Sequence, residues 1–191
     1  MQLGFEELKN LVLITGGARS GKSEFAESLA LAHKKPVVYL ATMPFIAGDK
    51  ELAEKIRQHQ SRRPKTWRTI EAELKLDQVV LDLPAGGAVC LIDCLSLFVA
   101  NILHEQQQSA SEKIEALVLK QSGALLASME ERSEITFLTV TNEVGLGIVP
   151  ENPLSRQYRD LLGAVNKEFA RAAKTVWFCC VGLPIKIKPG K

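Results

Sequence analysis

The sequence predicts an α/β protein in which a mostly parallel sheet, flanked by helices, forms the middle of three layers. Two observations lead to this prediction. Short apolar runs rich in β-branched residues alternate along the chain with longer segments of helical periodicity, and this alternation is typical of parallel sheets. The first apolar run also ends at a glycine-rich turn that leads directly into a helical segment, the order in which a strand–helix–strand unit begins.

The predicted elements divide the chain into a short extension and one domain. Residues 1–10 precede the first strand and are predicted to be an N-terminal extension; no proline- or serine-rich linker divides residues 11–191. The predicted strands cover residues 11–15, 36–42, 67–71, 88–93, 135–141, 175–181 and 183–187. The predicted helices cover residues 24–32, 49–60, 95–106 and 111–132 and a segment that starts at Pro153, while residues 72–83 stay ambiguous.

A phosphate-binding motif follows the first predicted strand. Residues 16–23 fit the pattern G-x-x-x-x-G-K-[ST] completely, with Lys22 and Ser23 at its last two positions. The two glycines allow backbone dihedrals that a Cβ atom forbids, so successive N–H groups can turn toward an anion. Lys22 offers a positive charge to the β- and γ-phosphates, and Ser23 offers a hydroxyl to Mg²⁺. The motif therefore predicts a P-loop NTPase-like (RecA-like) fold; an ordinary glycine turn is the alternative.

Composition argues against several other classes of protein. Apolar residues make up 46% of the 191 residues, enough for one buried core, and the formal net charge is only +2. Because the basic residues form no long run, no nucleic-acid interface is predicted. No apolar run approaches the length of a membrane span, and the first residues do not resemble a signal peptide. We therefore expect a cytoplasmic protein without membrane insertion.

The cysteines and histidines do not suggest a metal centre. Cys90, Cys94, Cys179 and Cys180 lie inside or beside apolar runs and show no C-x-x-C spacing. This arrangement predicts reduced thiols in the core rather than metal ligands or disulfides. The three histidines are scattered along the chain, so no zinc site is predicted.

Two other strand ends are predicted to face the nucleotide. Ligands of open α/β sheets lie at the carboxyl ends of the strands, which places Ala41, Thr42 and Met43 in the crevice. Asp93 ends another apolar run, where a carboxylate in P-loop enzymes helps to hold Mg²⁺. The alternative for Asp93 is that it caps the helix that follows.

Four stretches carry a more specific resemblance. They are the phosphate loop Thr15–Ser23, His59 followed by Arg63, the segment Trp67–Glu71, and the stretch from Val140 to Asn152. Together they resemble the bifunctional adenosylcobinamide kinase / adenosylcobinamide-phosphate guanylyltransferase family of cobalamin biosynthesis, over about residues 11–188. The resemblance implies that ATP or GTP phosphorylates adenosylcobinamide. GMP is then transferred from GTP to adenosylcobinamide phosphate, which releases pyrophosphate and gives adenosylcobinamide-GDP.

The resemblance also implies roles for individual residues. His59 matches the residue that forms a GMP-histidine intermediate, and Lys22 assists catalysis by neutralising charge on the departing pyrophosphate. The assignment of Mg²⁺ to Ser23 and Asp93 comes from the phosphate-loop pattern itself. The implied nucleotide contacts are Gly16, Gly17, Ala18, Arg19, Ser20, Gly21, Lys22, Ser23, Ala41, Thr42, Met43, Gln60, Ser61, Arg62, Arg63, Glu71 and Asp93. A homo-oligomer, by resemblance a trimer, is implied as well. The sequence offers Phe98, Val99 and Ile102 as candidate apolar surface for it.

Without the resemblance, simpler interpretations apply. His59 would be a core residue on the apolar face of a helix, and Arg62, Arg63 and Glu71 would be solvated charges. A monofunctional small-molecule kinase and a nucleotide-dependent regulatory module would both fit the phosphate loop. The chain has no N-K-x-D motif for reading guanine, because Asn166–Phe169 fails at its last position and lies in a predicted helix.

Overall fold

The structure is a computed structural model that describes residues 7–43, 54 and 63–190. Its strands are β1 (Leu8–Gly16), β2 (Val37–Ala41), β3 (Arg68–Glu71), β4 (Val89–Asp93), β5 (Thr136–Val140), β6 (Ala173–Cys180) and β7 (Leu183–Lys188). The helices of the described ranges are α1 (Lys22–Ala32), α2 (Leu76–Leu81), α3 (Leu95–Glu105), α4 (Ser111–Glu131) and α5 (Pro153–Ala172). The predicted helix over residues 49–60 falls largely outside these ranges.

All seven strands form one sheet in the order β3-β2-β4-β5-β1-β6-β7. Every neighbouring pair is parallel except β6 and β7, which form an antiparallel hairpin at one edge. Strand β1, which leads into the phosphate loop, is separated from the acid-ending strand β4 by β5 alone. The predicted P-loop NTPase-like, mostly parallel α/β fold is therefore confirmed.

Helices cover both faces of the sheet. Alternate residues of the central strands point to opposite sides, so Leu11 and Leu13 join one apolar cluster and Ile14 joins the other. Helices α2 to α5 pack on the first face, while α1 covers the second through the buried Ala26 and Ala30. This burial of both faces explains why the strands read as continuous apolar runs. The three-layer prediction is confirmed.

Strand β1 begins at Leu8, three residues before its predicted start. Leu8 is buried and pairs with Ala173 of β6. The side chain of Asn10 donates hydrogen bonds to the backbone carbonyls of Met129 and Ile135, at 2.9 and 3.0 Å. Residues 8–10 therefore belong to the sheet rather than to an extension. Because Lys9 and Asn10 are polar, this part of the strand does not belong to the apolar run from which the strand was predicted.

Two predictions about burial need correction. Cys90, Cys94 and Cys179 are buried free thiols as predicted, but Cys180 is exposed at the end of β6, because successive residues of a strand face opposite sides. The residues proposed as apolar surface, Phe98, Val99 and Ile102, are instead fully buried beneath α4 and α5. None of the described helices is long and apolar enough to cross a membrane.

Candidate nucleotide site

The strand ends bring several predicted site residues to one edge of the sheet. Ala41 is paired with Glu71 on one side and with Asp93 on the other, and Gly16 ends β1 at the same edge. At about 4.8 Å between neighbouring strands, the end of β4 lies roughly 10 Å from that of β1, and the end of β3 roughly 19 Å. Asp93 therefore lies closer to the phosphate loop than Glu71 does.

The phosphate loop depends on glycine at two positions. Gly16 has a φ of 152°, and a Cβ atom there would lie 2.3 Å from the carbonyl oxygen of Cys179. Gly21, immediately before α1, has a φ of 87°. Since side-chain-bearing residues rarely adopt these conformations, the two fixed glycines of the motif are explained by backbone geometry.

The hairpin turn between β6 and β7 supports the loop. The backbone N–H of Gly182 donates to the carbonyl oxygen of Ser20 at 3.1 Å. A Cβ atom on Gly21 would lie 3.2 Å from the Cα atom of Gly182, so the two backbones are in close contact. Sequence reasoning missed this role of Gly182. In the sequence, the only local indication of this role is that Val181 and Gly182 form a short turn between two apolar runs.

The side chains of the loop leave hydrogen-bonding groups available for an anion. Lys22 is buried, and its Nζ donates to the carbonyl oxygen of Gly17 at 3.0 Å. The hydroxyl of Ser20 is buried and has no hydrogen-bond partner in the part of the chain that the structure describes. Because an unpaired buried hydroxyl is costly, the loop fits a ligand that accepts hydrogen bonds, and a polyphosphate chain provides such acceptors.

The donor set at the loop fits Mg²⁺. Ser23 on the first turn of α1 and Asp93 at the end of β4 are half-buried oxygen donors. Among residues 7–43, 54 and 63–190, no group of three His, Cys, Asp or Glu side chains could hold a metal ion by itself. Mg²⁺ in phosphate sites takes one or two protein oxygens and completes its shell with phosphate and water, so these two donors are appropriate to it.

Asp93 is held by a tyrosine rather than used as a helix cap. The cap of α3 is Cys94, and no side chain makes the capping hydrogen bond. Instead, the hydroxyl of Tyr39 donates to Asp93 Oδ2 at 2.6 Å. Burial of Tyr39 and, secondarily, the negative charge of Asp93 raise the pKa of the phenol far above its ordinary value, so the hydroxyl keeps its proton. The capping alternative for Asp93 is therefore wrong.

Aromatic and basic side chains surround the same tyrosine. The guanidinium carbon of Arg63 lies 3.3 Å from the centroid of the Tyr39 ring. The ring of Trp67 stacks on that of Tyr39 with centroids 6.5 Å apart. Sequence reasoning named Arg63 and the Trp67 segment but missed Tyr39, which reads there only as one residue of a buried strand.

The side chain and the carbonyl group of Thr42 already have hydrogen-bond partners within the protein. Its hydroxyl accepts from the backbone N–H of Cys94 at 2.6 Å and donates to the carbonyl oxygen of Cys94 at 2.8 Å. Asn101 on α3 donates to the Thr42 carbonyl oxygen at 2.9 Å. Since the Thr42 side chain is fully buried, the half-buried Ala41 and Met43 are the parts of this segment that a ligand can reach.

The stretch after β5 is attached to the phosphate-loop strand. The backbone N–H of Glu143 donates to the carbonyl oxygen of Gly16 at 3.0 Å. Asn166 on α5 accepts from the Thr141 hydroxyl at 2.6 Å and donates to the Asn142 carbonyl oxygen at 2.9 Å. Asn152 caps α5 by accepting from the backbone N–H of Leu154 at 2.8 Å. Asn166 therefore positions the backbone of this stretch.

Four predicted site residues lie outside the described ranges. They are His59, Gln60, Ser61 and Arg62. Their assignments stay predictions, while Arg63 begins the next described segment beside Tyr39.

Comparison with known proteins places the chain among related sequences. Residues 12–187 match the model of a family described as cobinamide kinase / cobinamide phosphate guanyltransferase. The chain is 36% identical over 184 residues to the bifunctional adenosylcobalamin biosynthesis protein CobU of Escherichia coli K12, covering 93% of this chain and 99% of that protein. It is 38% identical over 177 residues to the bifunctional adenosylcobalamin biosynthesis protein CobP of Pseudomonas aeruginosa, covering 92% and 96%.

A solved structure shares the fold. A Pyrococcus horikoshii OT3 protein, studied as Project ID PH0250, superimposes with a TM-score of 0.58 at 10% identity and covers 100% of this chain and 94% of its own. At this identity the likeness concerns the fold alone.

Proposed function

Because this chain belongs to the cobinamide kinase / cobinamide phosphate guanyltransferase family, we propose that it catalyses two consecutive reactions. In the first, ATP or GTP phosphorylates the hydroxyl of adenosylcobinamide. In the second, GMP is transferred from GTP to adenosylcobinamide phosphate. The observation that carries the proposal is the family match over residues 12–187 on a chain whose phosphate loop is fully formed.

The described residues can perform the phosphoryl transfer by positioning and charge. The backbone N–H groups of the loop and the start of α1 face the phosphates, and Lys22 exchanges the Gly17 carbonyl for a phosphate oxygen. Ser23 and Asp93 would hold Mg²⁺, which when bound neutralises charge on the phosphates. The acceptor hydroxyl oxygen forms a bond to the γ-phosphorus, the bond to the β-phosphate bridging oxygen breaks, and the hydroxyl proton leaves to solvent.

We assign the guanylyl transfer to His59, which lies outside the described residues. A neutral imidazole nitrogen attacks the α-phosphorus of GTP, and the bond to the departing pyrophosphate breaks. The terminal phosphate oxygen of adenosylcobinamide phosphate then attacks the same phosphorus, and the nitrogen–phosphorus bond breaks. Imidazole suits both steps because it is a good nucleophile and a good leaving group. Arg63, Glu71 and the loop residues are proposed to contact the nucleotide.

Replacement of His59 tests this assignment. With Mg²⁺ and GTP labelled at the α-phosphate, we expect alkali-stable, acid-labile label on the native protein and none on His59→Ala. The variant should still transfer the γ-phosphate to adenosylcobinamide, because its phosphate loop is intact. His33→Ala is the matched control, since His33 is an exposed histidine at the end of α1, and it should label like the native chain.

Each other outcome of this experiment has a definite meaning. Label on His59→Ala would move the nucleophile to another residue. Phosphorylation of adenosylcobinamide by a native protein that never becomes labelled would favour a monofunctional kinase. GTP binding without either transfer would favour a regulatory module.

We also propose that the chain forms a homotrimer. Edge strand β7 and the turn before it expose apolar side chains at more than half of their surface: Val181, Leu183, Ile185 and Ile187. Sedimentation equilibrium should give three times the 21.0 kDa mass of the chain. Ile185→Glu should lower that mass, whereas Leu31→Glu, at an equally exposed leucine on α1, should not. A monomeric native protein would contradict the proposal.

A further inference from the structure

We propose that Tyr39 is a positioning residue that fixes two groups of the nucleotide site at once. Its hydroxyl orients the carboxylate of Asp93, and its ring holds the guanidinium of Arg63. The inference rests on the proposed function, since Asp93 and Arg63 matter here through the nucleotide and its cation. Neither the phosphate-binding motif nor the family resemblance assigned Tyr39 a role.

The hydroxyl of Tyr39 is placed by the strand register. Tyr39 on β2 is paired with Leu91 on β4, and Ala41 is paired with Asp93. Residues two apart on a strand share a face, so the phenol of Tyr39 lies beneath the Asp93 carboxylate and extends toward it. The hydroxyl lies 2.6 Å from Oδ2. The direction of the carboxylate is therefore set before any cation binds.

Burial makes this hydrogen bond a firm constraint. Only 2% of Tyr39 is exposed, whereas Asp93 is half-buried at the strand edge. Because the phenol is buried, little water competes with Asp93 Oδ2 for the hydrogen bond of the hydroxyl. Groups that orient metal-binding carboxylates in this way commonly change metal affinity 10- to 100-fold when removed.

The ring of Tyr39 performs a separate task. The Arg63 guanidinium lies 3.3 Å from its centroid, within the range of a cation–π contact. Within residues 7–43, 54 and 63–190, no group accepts a hydrogen bond from the buried Nε of Arg63. A guanidinium held against the ring that reaches Asp93 keeps its positive charge near this strand end, where it suits an anionic ligand. Tyr39 thus keeps a cation-binding oxygen and an anion-binding guanidinium in a fixed relation.

The first experiment removes only the hydroxyl. Mn²⁺ replaces Mg²⁺ as a paramagnetic probe, and its binding to the protein with GTP present is followed by electron paramagnetic resonance. Tyr39→Phe should raise the Kd for Mn²⁺ about tenfold and leave the ring contact with Arg63 in place. Tyr158→Phe is the matched control: Tyr158 is half-buried, and its hydroxyl donates to the Ser96 carbonyl oxygen at 3.2 Å. This control should bind Mn²⁺ like the native protein.

The second experiment tests the ring with a double-mutant cycle. The Kd for GTP without divalent cation is measured for the native chain, Tyr39→Leu, Arg63→Ala and the double variant. Arg63→Ala should weaken GTP binding about tenfold in the native background and less than threefold in the Tyr39→Leu background. If Tyr39 had a purely structural role, Arg63→Ala would raise the Kd for GTP by the same factor in the native and in the Tyr39→Leu background.

The outcomes separate this inference from the proposed function. If the native protein binds GTP and Mn²⁺ but Tyr39→Phe binds Mn²⁺ equally well, the orienting role of the hydroxyl is overturned. Multiplicative effects in the cycle overturn the role of the ring. A native protein that does not bind GTP would overturn the proposed function and this inference together.

Discussion

Lys22→Ala is expected to lower the rates of both phosphoryl and guanylyl transfer by about 10³-fold. In the structure Lys22 is buried, and its ammonium donates to the carbonyl oxygen of Gly17. Once a nucleotide is bound, the same ammonium can reach the β- and γ-phosphates, where charge accumulates in both transfers. Alanine removes that charge without introducing a bulky group.

The two rates are measured separately, as γ-phosphate transferred to adenosylcobinamide and as GMP transferred to its phosphate. Lys120→Ala is the control, because Lys120 is an exposed lysine on α4 and its loss should leave both rates unchanged. Thermal unfolding should show that Lys22→Ala is folded, since the change removes one hydrogen bond to a backbone carbonyl. If either rate stays within tenfold of the native value, the loop does not serve that reaction.

The parts of the site that could be predicted are those coded by contiguous residues. Residues 16–23 carry their own geometry, because two glycines and a helix start suffice to shape an anion-binding loop. The alignment of Ala41 with Asp93 follows from a general property of parallel sheets, whose carboxyl ends lie at one edge. The sequence pattern and this general rule together predicted the fold and the alignment of these strand ends.

The parts that could not be predicted are contacts between residues far apart in sequence. Tyr39 and Asp93 are separated by 54 positions, and the residues around each of them do not indicate that the two side chains are hydrogen-bonded. The support of Ser20 by Gly182 depends on β6 and β7 returning beside β1. A helical stripe such as that of Phe98 shows which residues avoid water, but not whether a helix or another chain covers them.

Gly16→Ala is expected to lower the free energy of unfolding by about 3 kcal/mol. An added Cβ atom would lie 2.3 Å from the Cys179 carbonyl oxygen and 2.7 Å from the Ser20 hydroxyl. Gly16 and Cys179 are paired across β1 and β6, so the backbone of one strand must move. The positive φ of Gly16 adds a conformational cost that alanine does not avoid.

Gly17→Ala separates this effect from a general intolerance of the loop. Apart from its two chain neighbours, none of the described residues would have an atom within 4 Å of a Cβ atom on Gly17, and Gly17 does not have a positive φ. We therefore expect its urea unfolding midpoint to stay close to the native value, while that of Gly16→Ala falls clearly. Equal midpoints for the two variants would show that β1 and β6 separate at little cost. A large loss for Gly16→Ala alone would mean that the approach of Cys179 to Gly16 couples the stability of the sheet to the shape of the phosphate loop.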